Sequence, residues 1–301
     1  MATTIGTCPC AIRPSVLSAL RQDGRTSRPS VSSTDANMWI APRYREMLEK
    51  AGLGRFEAVM NTQAGRCLRV LPDRENWHLR GMYLKKHRAR TWVTRIAAAL
   101  GAASPPSPGR VEADRALALQ ALGISVMPLM AYGEKLHADG RLESFLLTEE
   151  LQGYCELQEL IQQRFPSRAA ASARLDDISV LRRLIVQVAD IARRFHATGF
   201  NHRDFYCCHF LVKETSPDQF DVRLIDLQRV QRRRWFRRRW IVKDLAQLAS
   251  MSPDDRVGRR EKILFLRTYL GVGKLRPQDK RLVRDVLHKL SLIRRRTRHK
   301  P

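Results

Sequence analysis

The chain has 301 residues, 44% of them hydrophobic and 28% charged, which is enough for a sizeable buried core and excludes a broadly disordered protein. Lys and Arg number 55 against 30 acidic residues, and the net charge of +25 favours anionic partners: nucleic acid, phospholipid surfaces or phosphorylated glycans, unless the source proteome is itself Arg-rich. No run of about 18 apolar residues occurs, so no transmembrane helix is expected, and the six cysteines lack the spacing of a secreted disulfide framework, so reduced cytosolic thiols are expected.

The first part of the chain, residues 1–37, predicts a flexible leader. Its first 34 residues are rich in Ser and Thr and carry four arginines against one acid. Globular sequence begins at Met38, and residues 43–51 predict a short helix that ends at Gly52.

Two segments then have the composition of β-strands. Residues 56–71, with Gly65 in the middle, and residues 79–87, which contain Lys85, are rich in β-type side chains. Together they predict a small antiparallel sheet.

A loop and a helix follow the predicted sheet. Residues 102–109, AASPPSPG, are too rich in Pro and Gly for a helix, whereas residues 111–122 predict one. The apolar segments 124–132 and 144–148 are typical of buried strands, with a polar turn between them.

The clearest predicted helix covers residues 178–195. Asp176 and Asp177 stand where an N-cap belongs, and Gly199 follows the end. Steps of three and four residues place its apolar side chains on one face: Ile178, Leu181, Ile185, Val188, Ala192 and Phe195. This face predicts core packing.

The last third of the chain combines a hairpin, a basic run and helices. Residues 210–212 and 222–225 predict two short strands around a Ser-Pro-Asp turn. Residues 232–240 interleave arginines with three aromatic residues, which suits phosphate groups of glycans, lipids or nucleic acid. Helices are predicted from Lys243, and a basic tail from Arg294.

Asp204 and Asp226 are the candidate catalytic acids. Asp204 closes the triplet His202-Arg203-Asp204 just after the long helix, and Asp226 ends the apolar strand 222–225. Phosphoryl transfer needs one carboxylate to orient and deprotonate an attacking hydroxyl, and another to hold Mg²⁺ on the phosphates of ATP. Two carboxylates at such positions can meet across a cleft.

His209 lies five residues after Asp204. In protein kinases this offset carries the Asn that binds the second Mg²⁺. Imidazole is a softer ligand than Mg²⁺ prefers, so two roles stay open: binding the metal, or orienting Asp204 or a phosphate oxygen.

Upstream residues occur in the order that a kinase requires. Lys85 ends a predicted strand, Glu112 begins a helix 27 residues later, and the strand 144–148 ends at Thr148-Glu149-Glu150, where a hinge belongs. A Lys–Glu ion pair between strand and helix positions the phosphate-binding lysine of kinases. Lys86 and Asp114 are the alternatives to Lys85 and Glu112.

Five segments resemble the bacterial lipopolysaccharide core kinase family, which includes the inner-core heptose kinases and the Kdo kinases. The catalytic-loop segment NHRDFYCCHFL is the most specific of them, since it shares the unusual Cys-His-Phe ending as well as the triplet. The segments are YLKKH at 83–87, FLLTEEL at 145–151, NHRDFYCCHFL at 201–211, LIDLQRV at 224–230 and RWIVKDL at 239–245.

The resemblance implies an α+β, two-lobed protein-kinase-like fold: a small antiparallel N-lobe sheet with one helix over residues 38–150, a mainly helical C-lobe over 151–293, and a basic tail at 294–301. It implies transfer of the ATP γ-phosphate to a heptose or Kdo hydroxyl of a lipid A-linked glycan. It also implies a cytoplasmic enzyme that is peripheral on the anionic inner face of the inner membrane.

Site roles carry over by position. The resemblance makes Asp204 the base, Asp226 and His209 the Mg²⁺ ligands, and Lys85 with Glu112 the phosphate-holding pair. ATP would further contact the glycine-rich strand and the hinge, at Gly65, Thr148, Glu149 and Leu151. The chain departs from the family in having one glycine near that strand and in Gln228, where the family often has histidine.

The sequence leaves two functional alternatives open. A kinase that phosphorylates protein Ser, Thr or Tyr would share every catalytic part. A catalytically silent, nucleic-acid-binding module on a kinase scaffold would explain the charge, but nucleic acid is the less favoured partner because Lys85, Glu112, Asp204 and Asp226 are all present.

Overall fold

The computed structural model describes residues 37–168, 175–233 and 235–298. An antiparallel sheet with short helices forms the N-terminal part, and a mainly helical C-terminal part follows. This arrangement confirms the predicted α+β, two-lobed kinase-like fold. Residues 1–36 of the predicted leader lie outside the described residues, and Asn37 belongs to the first strand.

Six strands form the N-lobe sheet in the order β1-β5-β6-β4-β3-β2, with antiparallel neighbours throughout. Their bounds are β1 Asn37–Ile40, β2 Arg66–Leu71, β3 Arg74–Leu79, β4 Met82–Arg90, β5 Leu129–Leu136 and β6 Arg141–Glu149. Lys85 lies on the central strand β4 between Asn76 of β3 and Leu146 of β6. A central strand bonded on both sides gives that lysine a rigid base.

Four helices are described in the N-lobe: α1 Arg45–Lys50, α2 Phe56–Asn61, α3 Trp92–Ala99 and α4 Pro108–Ala121. The strand predicted over 56–71 is therefore wrong in its first half. Phe56, Val59 and Met60 are buried at helical spacing, and they pack in one cluster with Phe145 of the sheet. The strand β2 begins only after Gly65.

The start of α4 is fixed by its cap. Ser107 accepts a hydrogen bond from the Arg110 N–H, and Pro108 occupies the first turn, so the helix begins inside the predicted loop 102–109. Gly109 lies so close to β6 that a Cβ would stand 2.9 Å from the Phe145 carbonyl oxygen. This close approach sets the distance between α4 and the sheet.

The C-lobe helices are α5 Leu157–Arg164, α6 Leu175–Ala197, α7 Arg237–Met251, α8 Arg259–Leu270 and α9 Pro277–Arg298. The apolar face of α6 lies in the largest buried cluster, as predicted, and Asp176 and Asp177 lie in its first turn. Residues 294–298 of the predicted basic tail continue α9. In the described part of the chain, no helix is long and apolar enough to cross a membrane.

Short strands carry the segments around the candidate acids: β7 Cys155–Glu156, β8 Phe200–Asn201, β9 Phe210–Ser216, β10 Gln219–Leu224 and β11 Gln231–Arg232. The hairpin of β9 and β10 was predicted, and β11 pairs with β8 just before the His-Arg-Asp triplet. Val126, predicted as strand, instead makes an isolated parallel bridge to Leu224 that joins the two lobes beside Asp226.

Candidate active site

Lys85 is the lysine that enters the cleft between the lobes. Its Nζ donates to Glu112 Oε1 at 2.9 Å and to Asp226 Oδ1 at 3.3 Å. Side chains alternate along a strand, so Lys86 points the other way, where its Nζ donates to the Thr62 carbonyl. The geometry therefore separates the two adjacent lysines.

Glu112 is the carboxylate that α4 presents to Lys85. Its side chain is 0% exposed, whereas Asp114 is more than half exposed and pairs with Arg110. Burial lowers the pKa of Lys85, but the charges of Glu112 and Asp226 outweigh burial and the net pKa is raised. Lys85 is thus a fixed cation.

Asp226 stands at the end of β10 in an unusual backbone conformation. Its φ of 55° and ψ of 59° are left-handed, and it precedes a 3-10 turn over Leu227–Arg229. Burial raises its pKa, but the charges of Lys85 and His209 more than reverse this effect, so the pKa is lowered. The carboxylate stays ionised at the place where a cation or a phosphate-bound metal would be held.

The loop that carries Asp204 is anchored by Asp244 of α7. Asp244 is buried and accepts hydrogen bonds from the backbone N–H of His202 at 2.8 Å and of Arg203 at 2.9 Å. The His196 ring also lies 3.3 Å from it. Arg203 has a left-handed φ of 71°, which this anchor holds in place. Asp244 lies in the segment RWIVKDL that resembles the family, but this anchoring role was not among the predictions from the sequence.

Asp204 is held by an arginine that the sequence analysis missed. Arg229 Nη1 donates to both carboxylate oxygens of Asp204 at 2.9 Å. Arg229 comes three residues after Asp226, so the 3-10 turn connects the two candidate acids. Spacing alone carried no signal for this contact, because Arg229 and Asp204 are 25 residues apart.

His209 lies between the two acids. Its Nδ1 is 2.6 Å from the Asp204 carbonyl oxygen, and its Nε2 is 3.8 Å from Asp226 Oδ2. Burial lowers the pKa of His209, but the hydrogen bonds that its ring makes to Cys208 and to the Asp204 carbonyl oxygen, with the Asp226 charge, raise it to about 9. The ring therefore orders the catalytic loop and faces the same carboxylate as Lys85.

Comparisons with known proteins agree with this geometry. The sequence profile of the lipopolysaccharide kinase (Kdo/WaaP) family matches residues 57–269. The chain belongs to this family. It is therefore a kinase, a phosphotransferase, as predicted.

Named relatives cover most of this family member. The lipopolysaccharide core heptose(I) kinase WaaP of Pseudomonas aeruginosa is 36% identical over 225 residues, 72% of this chain and 81% of the relative. The enzyme of the same name from Escherichia coli is 30% identical over 255 residues, which are 82% of this chain and 93% of the relative. A solved structure, WaaP in complex with acyl carrier protein, is 30% identical with a TM-score of 0.62 and covers 86% of this chain and 97% of that one.

The predicted hinge residues of this lipopolysaccharide kinase lie at the end of β6. Thr148 is buried two residues from Leu146, the strand partner of Lys85. Glu149 accepts a hydrogen bond from the Tyr44 hydroxyl at 2.5 Å, and the Leu151 carbonyl accepts one from Tyr154 N–H. Tyr44 thus ties the first helical turn to the hinge, a contact with no local sequence signal.

Gly65 directly precedes β2, at the open end of the β2–β3 hairpin, and its backbone conformation favours glycine. Its φ is 88°, and a Cβ there would stand 2.1 Å from the His78 carbonyl oxygen. His78 in turn contacts Glu150 at 2.8 Å, so Gly65 is on the hinge side of the sheet. Whether nucleotide contacts Gly65 stays a prediction.

The hairpin of β2 and β3 contacts the segment after Asp226 through an arginine. Arg74, just after the turn, donates from Nη1 to Gln228 Oε1 at 2.5 Å. Gln228 follows Asp226 by two residues, at the position where the sequence departs from the family. Arg74 thus joins the hairpin to the turn that follows Asp226, and neither Arg74 nor Gln228 was among the predicted site residues.

A divalent metal fits Asp226 best. In the described parts of the chain, no group of three or more His, Cys, Asp or Glu residues could hold a metal by itself. A metal bound to nucleotide needs only one or two protein carboxylates, because the phosphates supply the other oxygens. Asp226 provides one carboxylate, and His209 Nε2 faces it.

Proposed function

We propose that this kinase transfers the γ-phosphate of ATP to a heptose hydroxyl of the lipopolysaccharide inner core. The observation that carries the proposal is the convergence of Lys85, Glu112 and Asp226 beside the loop of Asp204. Both the heptose and the Kdo acceptor were expected from the sequence, and the names of the relatives favour heptose.

Lys85 would bind phosphate oxygens of ATP, and Glu112 would keep its ammonium in position. Mg²⁺, held by Asp226 and His209, would neutralise phosphate charge when bound. The adenine would lie against the hinge from Thr148 to Leu151. The contact between Lys85 and Asp226 supports this arrangement, because it places side by side the cation that would bind phosphate and the carboxylate that would bind the metal.

Asp204 would orient the acceptor hydroxyl and accept its proton. Arg229 binds both oxygens of that carboxylate and fixes its direction, and His209 holds the backbone beneath it. The acceptor hydroxyl must reach a carboxylate oxygen within hydrogen-bond distance. Most of the acceleration would come from positioning and electrostatics, since phosphoryl transfer requires little covalent chemistry from the protein.

The decisive test is transfer from labelled ATP to deacylated core glycan isolated from a strain that lacks its core heptose kinase, beside a generic protein acceptor. We expect phosphate on the glycan only, and a loss of about 10³-fold in kcat for Asp204→Asn. Circular dichroism checks that the variant is folded. Labelling of the protein acceptor instead would favour a protein kinase, and undiminished transfer by Asp204→Asn would refute the mechanism.

We further propose peripheral binding to the anionic inner face of the inner membrane. Before α7, Trp235 and Phe236 are 79% and 86% exposed beside arginines, a combination that suits the interface of an anionic bilayer. Trp235→Ala/Phe236→Ala should release the protein from phosphatidylglycerol vesicles in sedimentation. Trp92→Ala, at a tryptophan 74% exposed on α3, is the matched control. Equal release of both variants would contradict the assignment.

An acyl carrier protein is a second proposed partner, because the solved relative is a complex with one. The C-lobe of this chain contains a mainly apolar cavity of about 480 Å³ between α5, α6, α7, α8 and α9, large enough for part of an acyl chain. Acylated carrier protein should raise the melting temperature more than the unacylated form does. Equal shifts of the melting temperature by the two forms would show that the cavity does not bind the acyl chain of the carrier protein.

A further inference from the structure

Four cations surround the indole ring of Trp240 in α7. The charged ends of Arg203, Arg233, Arg239 and Lys243 lie 5.3, 5.4, 5.8 and 6.0 Å from the ring centroid. Each is within the distance of a cation–π contact. We call this group of four cations and Trp240 the Trp240 cluster.

The Trp240 cluster borders the proposed base. Arg203 immediately precedes Asp204, and Lys243 Nζ donates to the Arg203 carbonyl. Burial lowers the pKa of Lys243; the charge of Asp204 is the largest influence that opposes this lowering, while the charge of Arg229 adds to it. A group bound at the cluster would therefore lie beside the hydroxyl that Asp204 orients.

The three arginines of the cluster, Arg203, Arg233 and Arg239, lack carboxylate partners among the described residues. The Arg233 guanidinium contacts the amide oxygen of Gln231, at 3.1 and 2.8 Å, and Arg203 Nε is buried with no hydrogen-bond partner. The contrast is Arg238, on the same helix, whose guanidinium is bound to Asp285.

Like charges gathered around one ring repel one another, and a buried guanidinium N–H without an acceptor is unfavourable. Both conditions are relieved by an oxyanion, which accepts forked hydrogen bonds from guanidinium groups. Trp240 would keep the arginine planes in place before the oxyanion arrives. A neutral sugar hydroxyl could accept a hydrogen bond from the buried N–H, but it would leave the repulsion between the cations unrelieved.

We propose that the Trp240 cluster binds a carboxylate or phosphate carried by the acceptor itself, next to the hydroxyl that is phosphorylated. This inference rests on the proposed function and extends it: the substrate is an acidic glycan, and the cluster recognises its acidic group. The aromatic residues Trp235 and Phe236 would face the membrane, whereas the cluster would face the glycan.

The test compares Arg233→Gln/Arg239→Gln with the control Arg238→Gln on three acceptors. These are the deacylated core glycan, the same glycan with its carboxylates chemically reduced, and the same glycan treated with phosphatase. On the untreated glycan we expect the double variant to raise KM about tenfold or more, since charge-assisted hydrogen bonds are lost. KM for ATP should not change, and Arg233→Lys/Arg239→Lys should recover part of the loss.

The treated glycans identify the acidic group. The effect of the double variant should vanish on whichever glycan has lost the anion that the cluster binds. An unchanged KM on the untreated glycan, or an equal rise on all three, would overturn the proposal. So would loss of binding to phosphatidylglycerol vesicles with an unchanged glycan KM, because the ligand would then be a lipid headgroup. Wild-type protein that labels none of the glycans would instead refute the proposed function, and this inference with it.

Discussion

Lys85→Met tests the electrostatic centre of the site. The substitution keeps an unbranched side chain of similar length but removes the cation between Glu112 and Asp226, with which Lys85 makes contacts of 2.9 and 3.3 Å. Two unit charges 2.9 Å apart attract by about 6 kcal/mol at an effective dielectric constant of about 20. Part of this attraction offsets the cost of burial, so the expected loss is about 3–5 kcal/mol in the free energy of unfolding.

A second substitution separates stability from catalysis. In Lys85→Met/Glu112→Gln the buried carboxylate is replaced by a neutral amide, so most of the lost stability should return. Phosphate transfer should not return, because the ammonium that binds the nucleotide is still absent. We expect kcat/KM to stay about 10²–10³-fold or more below that of the wild type in both variants.

Urea denaturation and labelled-ATP transfer measure the two effects. Lys86→Met is the matched control, because its ammonium is buried against the Thr62 carbonyl and the Trp77 ring on the other face of β4. It should lose stability and keep transfer within about threefold once folded. A Lys85→Met enzyme with normal transfer, or inactivity of Lys86→Met instead, would refute the assignment of Lys85.

Three further predictions concern the anchor, a glycine and a thiol. Asp244→Asn should lower the free energy of unfolding in urea by about 1–3 kcal/mol, because the two loop N–H groups that donate to Asp244 lose a charged acceptor. It should also lower kcat while KM changes little. A change in stability alone would show that the loop keeps its shape without this carboxylate. Gly65→Ala should cost more than about 2 kcal/mol, because the new methyl meets the His78 carbonyl, whereas Gly81→Ala, with a similar φ and open space around it, should cost about 1 kcal/mol; equal costs would exclude the steric explanation. Burial raises the pKa of Cys207 to about 12, so mass spectrometry should find it unalkylated by iodoacetamide at pH 8 until the protein unfolds; labelling at the rate of an exposed thiol would contradict the packing.

Helices with a strong apolar period were predictable from the sequence. The face of α6 and the hairpin of β9 and β10 follow from local spacing, because a buried face imposes its period on the residues that form it. The segment 56–71 was harder, since Phe56, Val59 and Met60 form too short a run to separate a helix from a strand. Packing against the sheet decided for the helix.

Contacts between residues far apart in the chain were predictable only through the family resemblance. The pair of Lys85 and Glu112 was expected in that way, and the structure places the two side chains together. Arg74 with Gln228, Arg229 with Asp204 and the cluster around Trp240 carried no equivalent signal, because a long cationic side chain can reach several partners and its choice depends on the fold around it.

From the sequence alone came the kinase class, the order of the catalytic segments and the basic character of the region before α7, since each is a property of neighbouring residues. The tertiary structure placed Lys85, which the family resemblance favoured, and Lys86 on opposite faces of β4, and it alone decided that Arg229 holds Asp204 and that four cations share one indole ring. These choices depend on strand alternation, burial and distance in space, which the linear order of residues does not contain.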